Sequence, residues 1–142
     1  MRTWKERNMT QPNFLYVEND EMSREVMKAL LTRGLGYDDV TMFENSADFV
    51  DRLESLSYKP DIIFLDIHME PIDGFAMLSM IRHHADLNTV PVVALTASVM
   101  NEEIRRLRDA GFDGVIAKPI NYDTFPNALQ RLLSGQQVWN IK

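Results

Sequence analysis

Five short apolar runs, each separated from the next by a longer amphipathic stretch, set the tightest limit on how this chain can fold. The runs cover residues 14–17, 40–43, 62–65, 90–95 and 114–117. They are rich in Val, Ile and Phe and nearly continuous, where a half-buried strand would alternate with polar residues. That is the pattern of strands covered on both faces. Between them run helical stripes. Met22, Val26, Leu30 and Leu31 form one. Ala47, Val50, Leu53 and Leu56 form a second, with Ser46 placed to cap its start. Phe75, Leu78 and Ile81 follow Gly74, and Met100, Ile104 and Leu107 precede Gly111. Phe125, Leu129, Leu132 and Leu133 form the last stripe, with Pro126 in its first turn and Gly135 placed to end it.

Strands alternating with helices imply a parallel sheet covered on both sides. With 142 residues, the expected architecture is α/β: a doubly wound five-stranded parallel sheet in the order 2-1-3-4-5, with five helices. A closed eightfold barrel needs ~250 residues. One domain is expected over 13–135, with tails at 1–12 and 136–142 that each carry one tryptophan, Trp4 and Trp139. Composition narrows the function. The chain has no cysteine, which removes disulfides, thiolate catalysis and Cys-zinc sites. Fifteen basic against 21 acidic residues leave a net charge of −6, unsuited to generic binding of nucleic acid or anionic membrane. No apolar run approaches the ~20 residues of a membrane helix, and no signal peptide is visible, so a cytoplasmic protein is expected.

In such a sheet, ligands bind beyond the carboxyl ends of the strands, at the switch between the first and third. Glu18, Asn19, Asp20 and Glu21 follow the first run. Asp66 and then His68 follow the third, Thr96, Ala97 and Ser98 the fourth, and Lys118 and Pro119 the fifth. Clustered oxygen ligands suit Mg²⁺, and a hydroxyl beside an ammonium suits phosphoryl oxygens. A carboxylate held by a rigid strand, as Asp66 would be, can act as a nucleophile. Each residue alone reads as a turn or loop former; their meeting on one sheet edge is what carries the inference.

These residues resemble a family. Phe14-Leu15-Tyr16-Val17-Glu18-Asn19-Asp20 looks like the first strand and acidic pair of the receiver domain of two-component response regulators, with its CheY-like, flavodoxin-like fold. Asp61-Ile62-Ile63-Phe64-Leu65-Asp66 is similar to its phosphoacceptor strand, and Asp73-Gly74 follow at the family's spacing. Val90 through Ala97 resembles the switch-threonine strand, and Ala110 through Ile120 the lysine segment. The resemblance implies that Asp66 accepts a phosphoryl group from a phosphohistidine on a sensor histidine kinase or phosphotransfer protein. It also implies that Glu18, Asn19, Asp66 and the His68 carbonyl hold Mg²⁺, and that Thr96 and Lys118 bind phosphate oxygens. It implies a signalling phosphoacceptor, not an enzyme, in a phosphorelay. Because the chain ends soon after the last helix, a stand-alone receiver that acts by docking to a downstream protein is expected.

Four departures qualify the match. Asn19 stands where the family usually has its main acidic metal ligand, so either Glu18 or Asp20 compensates or Mg²⁺ binds more weakly. Glu70 displaces the usual proline of the loop after Asp66 by one place, and adds charge near the site or on a rim facing a partner. Val115 replaces an aromatic residue three before Lys118 and cannot swing as a ring does. His68 and Ser98 stand where the resemblance places groups that tune dephosphorylation. Asn19 and Val115 motivate a second reading, a phosphorylation-independent interaction module. Other classes fit poorly. A phosphatase of the haloacid dehalogenase type needs an acid where His68 stands, Glu18-Asn19-Asp20-Glu21 would repel the phosphate of FMN, and no Gly-x-Gly-x-x-Gly follows a strand. His83 and His84 are adjacent on a helical stretch and do not face one another, and the arginines at 105, 106 and 108 read as a solvated face or a docking surface.

Overall fold

A computed structural model describes residues 11–139; Trp4 and nearly all of the expected N-terminal tail, together with residues 140–142, lie outside the described residues. Strands and helices alternate as β1 (Asn13–Val17), α1 (Glu21–Ala29), β2 (Asp39–Phe43), α2 (Phe49–Glu54), β3 (Ile62–Asp66), α3 (Gly74–Arg82), β4 (Val92–Thr96), α4 (Asn101–Ala110), β5 (Gly114–Ala117) and α5 (Phe125–Leu133). A wider π turn, Leu30–Gly34, continues α1. The strands form one parallel sheet in the order β2-β1-β3-β4-β5, as expected from the sequence.

The strands are continuous apolar runs because both faces of the sheet are buried, and successive side chains feed two separate cores. Phe14, Tyr16, Ile62, Phe64, Val93 and Leu95 pack with Met27 of α1 and Leu129 and Leu132 of α5. Leu15, Val17, Ile63, Leu65, Val92 and Ala94 pack on the other side with Phe49 of α2, Leu78 of α3 and Leu107 of α4. The strand ends are therefore fixed from both sides, which gives the polar residues beyond them a rigid base. No helix among the described residues is long and apolar enough to cross a membrane.

Two expectations need correcting. Ser46 does not cap α2. Residues 45–47 form a turn in which the Asn45 Oδ1 accepts the Ala47 amide at 3.0 Å. The helix starts only at Phe49, after Asp48 in left-handed conformation (φ 51°). The fully buried Ser46 hydroxyl instead accepts the Ile72 amide at 2.8 Å, tying this turn to the loop after β3. Nor does the fold stop at 135. Val138 is buried in the core and pairs with Gly114 at the outer edge of β5. The Val115 amide donates to the Val138 carbonyl at 2.9 Å, and the Val138 amide to the Asp113 carbonyl at 3.1 Å. A Cβ on Gly114 would lie 2.7 Å from the Val138 oxygen, so only glycine admits this close approach. Trp139 packs against the opposite core from Val138, as the next residue of a strand would, with the Arg108 guanidinium 4.9 Å above its ring.

Candidate functional site

Register alone places the site. Val17 pairs with Leu65, so Glu18 follows at the level of Asp66; Asp66 pairs with Leu95, and Thr96 with Ala117. The ladder extends one residue past three strands: the Glu18 amide bonds the Phe43 carbonyl (3.0 Å), the Ile67 amide Leu95 (3.2 Å) and the Lys118 amide Thr96 (3.0 Å). Glu18, Asp66 and Lys118 each stand two residues beyond a core residue of the α1/α5 face: Tyr16, Phe64 and Ile116. Strand periodicity thus turns their side chains to one side.

There they meet. The Lys118 ammonium donates to Glu18 Oε1 at 2.9 Å and lies 3.6 Å from Asp66 Oδ2. The Tyr16 hydroxyl donates to the same Glu18 oxygen at 2.6 Å, and the Asp20 amide reaches Oε2 at 3.2 Å. The His68 amide donates to Asp66 Oδ1 at 3.3 Å. Glu18 is fully buried and Asp66 nearly so. Burial, followed by the neighbouring Glu18 carboxylate, pushes the Asp66 carboxyl up to about 6, against the opposing pull of Lys118. Burial pushes Glu18 up as well, but the hydrogen bonds from Tyr16 and Lys118 and the one shared with Asp66 outweigh it and hold Glu18 below its ordinary range. Burial opposes the charge on Lys118, and Glu18 and Asp66 more than restore it. Burial and the bond to Glu18 raise the Tyr16 phenol, which keeps its proton. Two buried carboxylates thus share one ammonium, and Asp66 carries the uncompensated part.

Around this centre the expected residues divide. Thr96 is buried, and its oxygen accepts the Ser98 amide at 3.1 Å, which leaves the hydroxyl proton free to donate. Asn19, His68 and Ser98 line one cleft of about 880 Å³, together with Glu70, Glu103 and Arg106. Glu70 therefore contributes its charge to the cleft itself. Asp20, beside Asn19, is engaged as a helix cap while its charge still acts on Lys118. Its carboxylate caps α1, accepting from the Ser23 amide (2.9 Å) and hydroxyl (2.7 Å), and these bonds lower its pKa. Asp73 likewise caps α3 through the Ala76 amide. Val115 is buried in the α2–α4 core, away from the ammonium. Sequence reasoning missed Tyr16 and Arg24, whose Nη1 donates to the Glu18 carbonyl at 2.8 Å, and the Glu103–Arg106 wall of the cleft. His84 bonds Glu54 at 2.9 Å while His83 turns back to Ser79, so the histidine pair is structural.

A family described as the response regulator receiver domain matches residues 14–130. The chain belongs to that family. The osmosensing histidine protein kinase SLN1 of Saccharomyces cerevisiae is 29% identical over 93% of this receiver, which spans only 11% of SLN1. The polar-differentiation response regulator DivK of Brucella anthropi is 25% identical, over 84% of this chain and 94% of DivK. Among solved structures, the receiver domain of the sensor histidine kinase PA1611 from Pseudomonas aeruginosa superposes with a TM-score of 0.74 at 29% identity, over 88% of this chain and 99% of that one. The PA1611 domain carries a magnesium ion coordinated in its active-site cleft.

The donors of this receiver also suit Mg²⁺. Among the described residues no group of three or more acidic or imidazole side chains gathers around one point. Mg²⁺ asks for less: one or two carboxylates, with water and phosphate completing an octahedron. Glu18 and Asp66 supply two carboxylates short of positive charge. The Asn19 amide oxygen and the His68 carbonyl could complete an all-oxygen set, with Asn19 adding no charge.

Proposed function

We propose that this receiver is a phosphoacceptor in a two-component phosphorelay, with Asp66 taking a phosphoryl group from a phosphohistidine. The observation that carries the reading is the unbalanced trio at the strand ends, in which Glu18 holds Lys118 at 2.9 Å while Asp66 is left at 3.6 Å. A nearly buried carboxylate whose chain neighbours Ile67 and His68 line a cleft, with an ammonium at hand but held more closely by Glu18, is a poised nucleophile. An Asp66 carboxylate oxygen attacks the phosphorus in line. The O–P bond forms as the P–N bond breaks, and the electron pair of that bond returns to the imidazole nitrogen. Lys118 and the Thr96 hydroxyl donate hydrogen bonds to the oxygens of the transferred group, so the chain contributes positioning and charge. Mg²⁺, held by Glu18, Asn19, Asp66 and the His68 carbonyl, would supply the remaining positive charge for the phosphate oxygens. His68 and Ser98, beside the site in the cleft, tune the lifetime of the aspartyl phosphate.

The donor imidazole must reach Asp66 across the strand-end rim. Met22 on α1 and Tyr122 after β5 are two of the three large apolar side chains most exposed among the described residues (66% and 61%). They flank a cavity of about 290 Å³ with Val26, Ile120 and Tyr16. We assign this apolar rim to the phosphohistidine-bearing protein. The output is docking to a downstream protein, so the chain acts as a signalling switch rather than as an enzyme on an external substrate.

Asn19 favours the second reading, an interaction module that needs no phosphorylation, and one assay separates the two. The protein is incubated with Mg²⁺ and acetyl phosphate and its intact mass measured. The phosphoacceptor reading expects one phosphoryl adduct, absent in Asp66→Ala. No adduct on the wild-type chain, or an equal adduct on Asp66→Ala, overturns it.

A further inference from the structure

We propose that Tyr16 is a positioning residue for phosphoryl capture, whose hydroxyl keeps Glu18 paired when Lys118 leaves it for a phosphoryl oxygen on Asp66. The proposal rests on the phosphoacceptor reading above. Its ground is a double contact on one atom: Glu18 Oε1 accepts both the Tyr16 hydroxyl at 2.6 Å and the Lys118 ammonium at 2.9 Å. Lys118 thus has Glu18 as its nearer partner, and in this proposal it gives up that contact when it turns to a phosphoryl oxygen on Asp66, whose carboxylate is 3.6 Å away. Glu18 is fully buried. A buried carboxylate oxygen that loses its hydrogen-bond donors is costly, because burial limits what water can replace. Tyr16 prevents that loss. Its ring is fully buried and meets Phe64 edge-on, with centroids 6.4 Å apart at 85°, so its hydroxyl stays in place while Lys118 moves.

The two donors therefore have different tasks. Lys118 reaches the site from β5 on a flexible stem and can travel. Tyr16 sits inside β1 on the same strand face as Glu18, two residues before it, and cannot. A phenylalanine at 16 would fill the same space with no donor. Lys118 would then be the only side chain donating to Oε1, and drawing it away would leave that oxygen with no side-chain hydrogen-bond donor. The resting site would lose little, because Lys118 still covers Glu18. Mg²⁺ affinity is expected to hold, since removing a neutral donor leaves more negative charge for the cation.

The test compares wild type with Tyr16→Phe in two titrations. Mg²⁺ alone is followed through backbone amide shifts. Beryllofluoride, a phosphoryl mimic, is then titrated at saturating Mg²⁺, with the initial rate of phosphorylation by acetyl phosphate as a parallel readout. The expected result is Mg²⁺ affinity within about threefold of wild type, and beryllofluoride affinity and initial rate each about tenfold lower, the size of one hydrogen bond to a charged group. Equal beryllofluoride binding by the two proteins overturns the role of Tyr16. So does a parallel loss of Mg²⁺ and beryllofluoride, which would mark a purely structural residue. A wild-type chain that binds no beryllofluoride and takes up no phosphoryl group overturns the phosphoacceptor reading and this inference with it.

Discussion

Replacing Asp66 with asparagine should make the protein more stable, although it removes the group on which the proposed function depends. Asp66 is nearly buried beside a second carboxylate, with Lys118 committed to that neighbour. Its carboxyl therefore titrates at about 6 in the fold, up from the ordinary 3.8, through burial first and Glu18 second. Below about pH 3 the group is protonated whether folded or unfolded, and costs nothing extra. As pH rises from about 3 to 6 the unfolded chain gives up the proton first, and the folded state becomes progressively less favourable. Above pH 6 the full cost is present. A displacement of that size corresponds to about 3 kcal/mol; because Glu18 and Asp66 share the charge, about 1–3 kcal/mol is expected. Asparagine keeps the shape, abolishes the charge and leaves the Lys118–Glu18 bond in place.

The assay is urea unfolding at pH 7.5 and pH 4, with a chelator present so that no divalent cation offsets the charge. At pH 7.5 the Asp66→Asn midpoint should rise by about 0.5–1.5 M, given slopes of about 1–3 kcal/mol/M. At pH 4 the gain should largely vanish. Asp113→Asn is the control with opposite sign. Its carboxylate accepts the Arg82 guanidinium at 2.8 Å and the Val92 amide at 2.9 Å, so the same chemical change should destabilise by about 1–2 kcal/mol. An Asp66→Asn protein no more stable than wild type at pH 7.5, or one with the same gain at both pH values, would refute the reasoning.

Three further outcomes follow from the geometry. Asn19→Asp adds the missing carboxylate to the oxygen set and should lower the Mg²⁺ Kd by at least about threefold; equal affinities would mean that residue 19 does not contact the ion. Met22→Glu places charge on the exposed apolar rim, and should slow phosphotransfer from a phosphohistidine protein while leaving the acetyl phosphate rate unchanged; equal slowing of both would locate the defect in the site. Ending the chain at Gly135 removes the buried Val138 and its backbone bonds to Asp113 and Val115, and should cost about 2–4 kcal/mol in chemical denaturation, whereas an unchanged midpoint would show that the segment only rests on the sheet.

The sheet and the strand-end charges were legible because both are written locally. An apolar run of four to six residues states its own burial, and the strand period then places Glu18, Asp66 and Lys118 at one edge without any knowledge of their contacts. What was not legible depends on a partner distant in sequence or on an atom hidden in a pattern. Ser46 precedes an apolar stripe, so its hydroxyl reads as a helix cap, yet it bonds Ile72, 26 residues away. Val138 sits in too short a segment to show any period, and its place depends on the missing side chain of Gly114, which is informative only once the neighbour is known. Tyr16 is the instructive case. Within residues 14–17 it counts as one more apolar residue, and its ring does lie in the core. Its hydroxyl, however, must find an acceptor when buried, and two residues onward on the same strand face stands Glu18. A tyrosine two places before a strand-end acid therefore carried a signal in the sequence: the core supplies the ring's surroundings and the site supplies the hydroxyl's partner. That double demand makes Tyr16, alone among the residues of β1, answerable to both the fold and the chemistry.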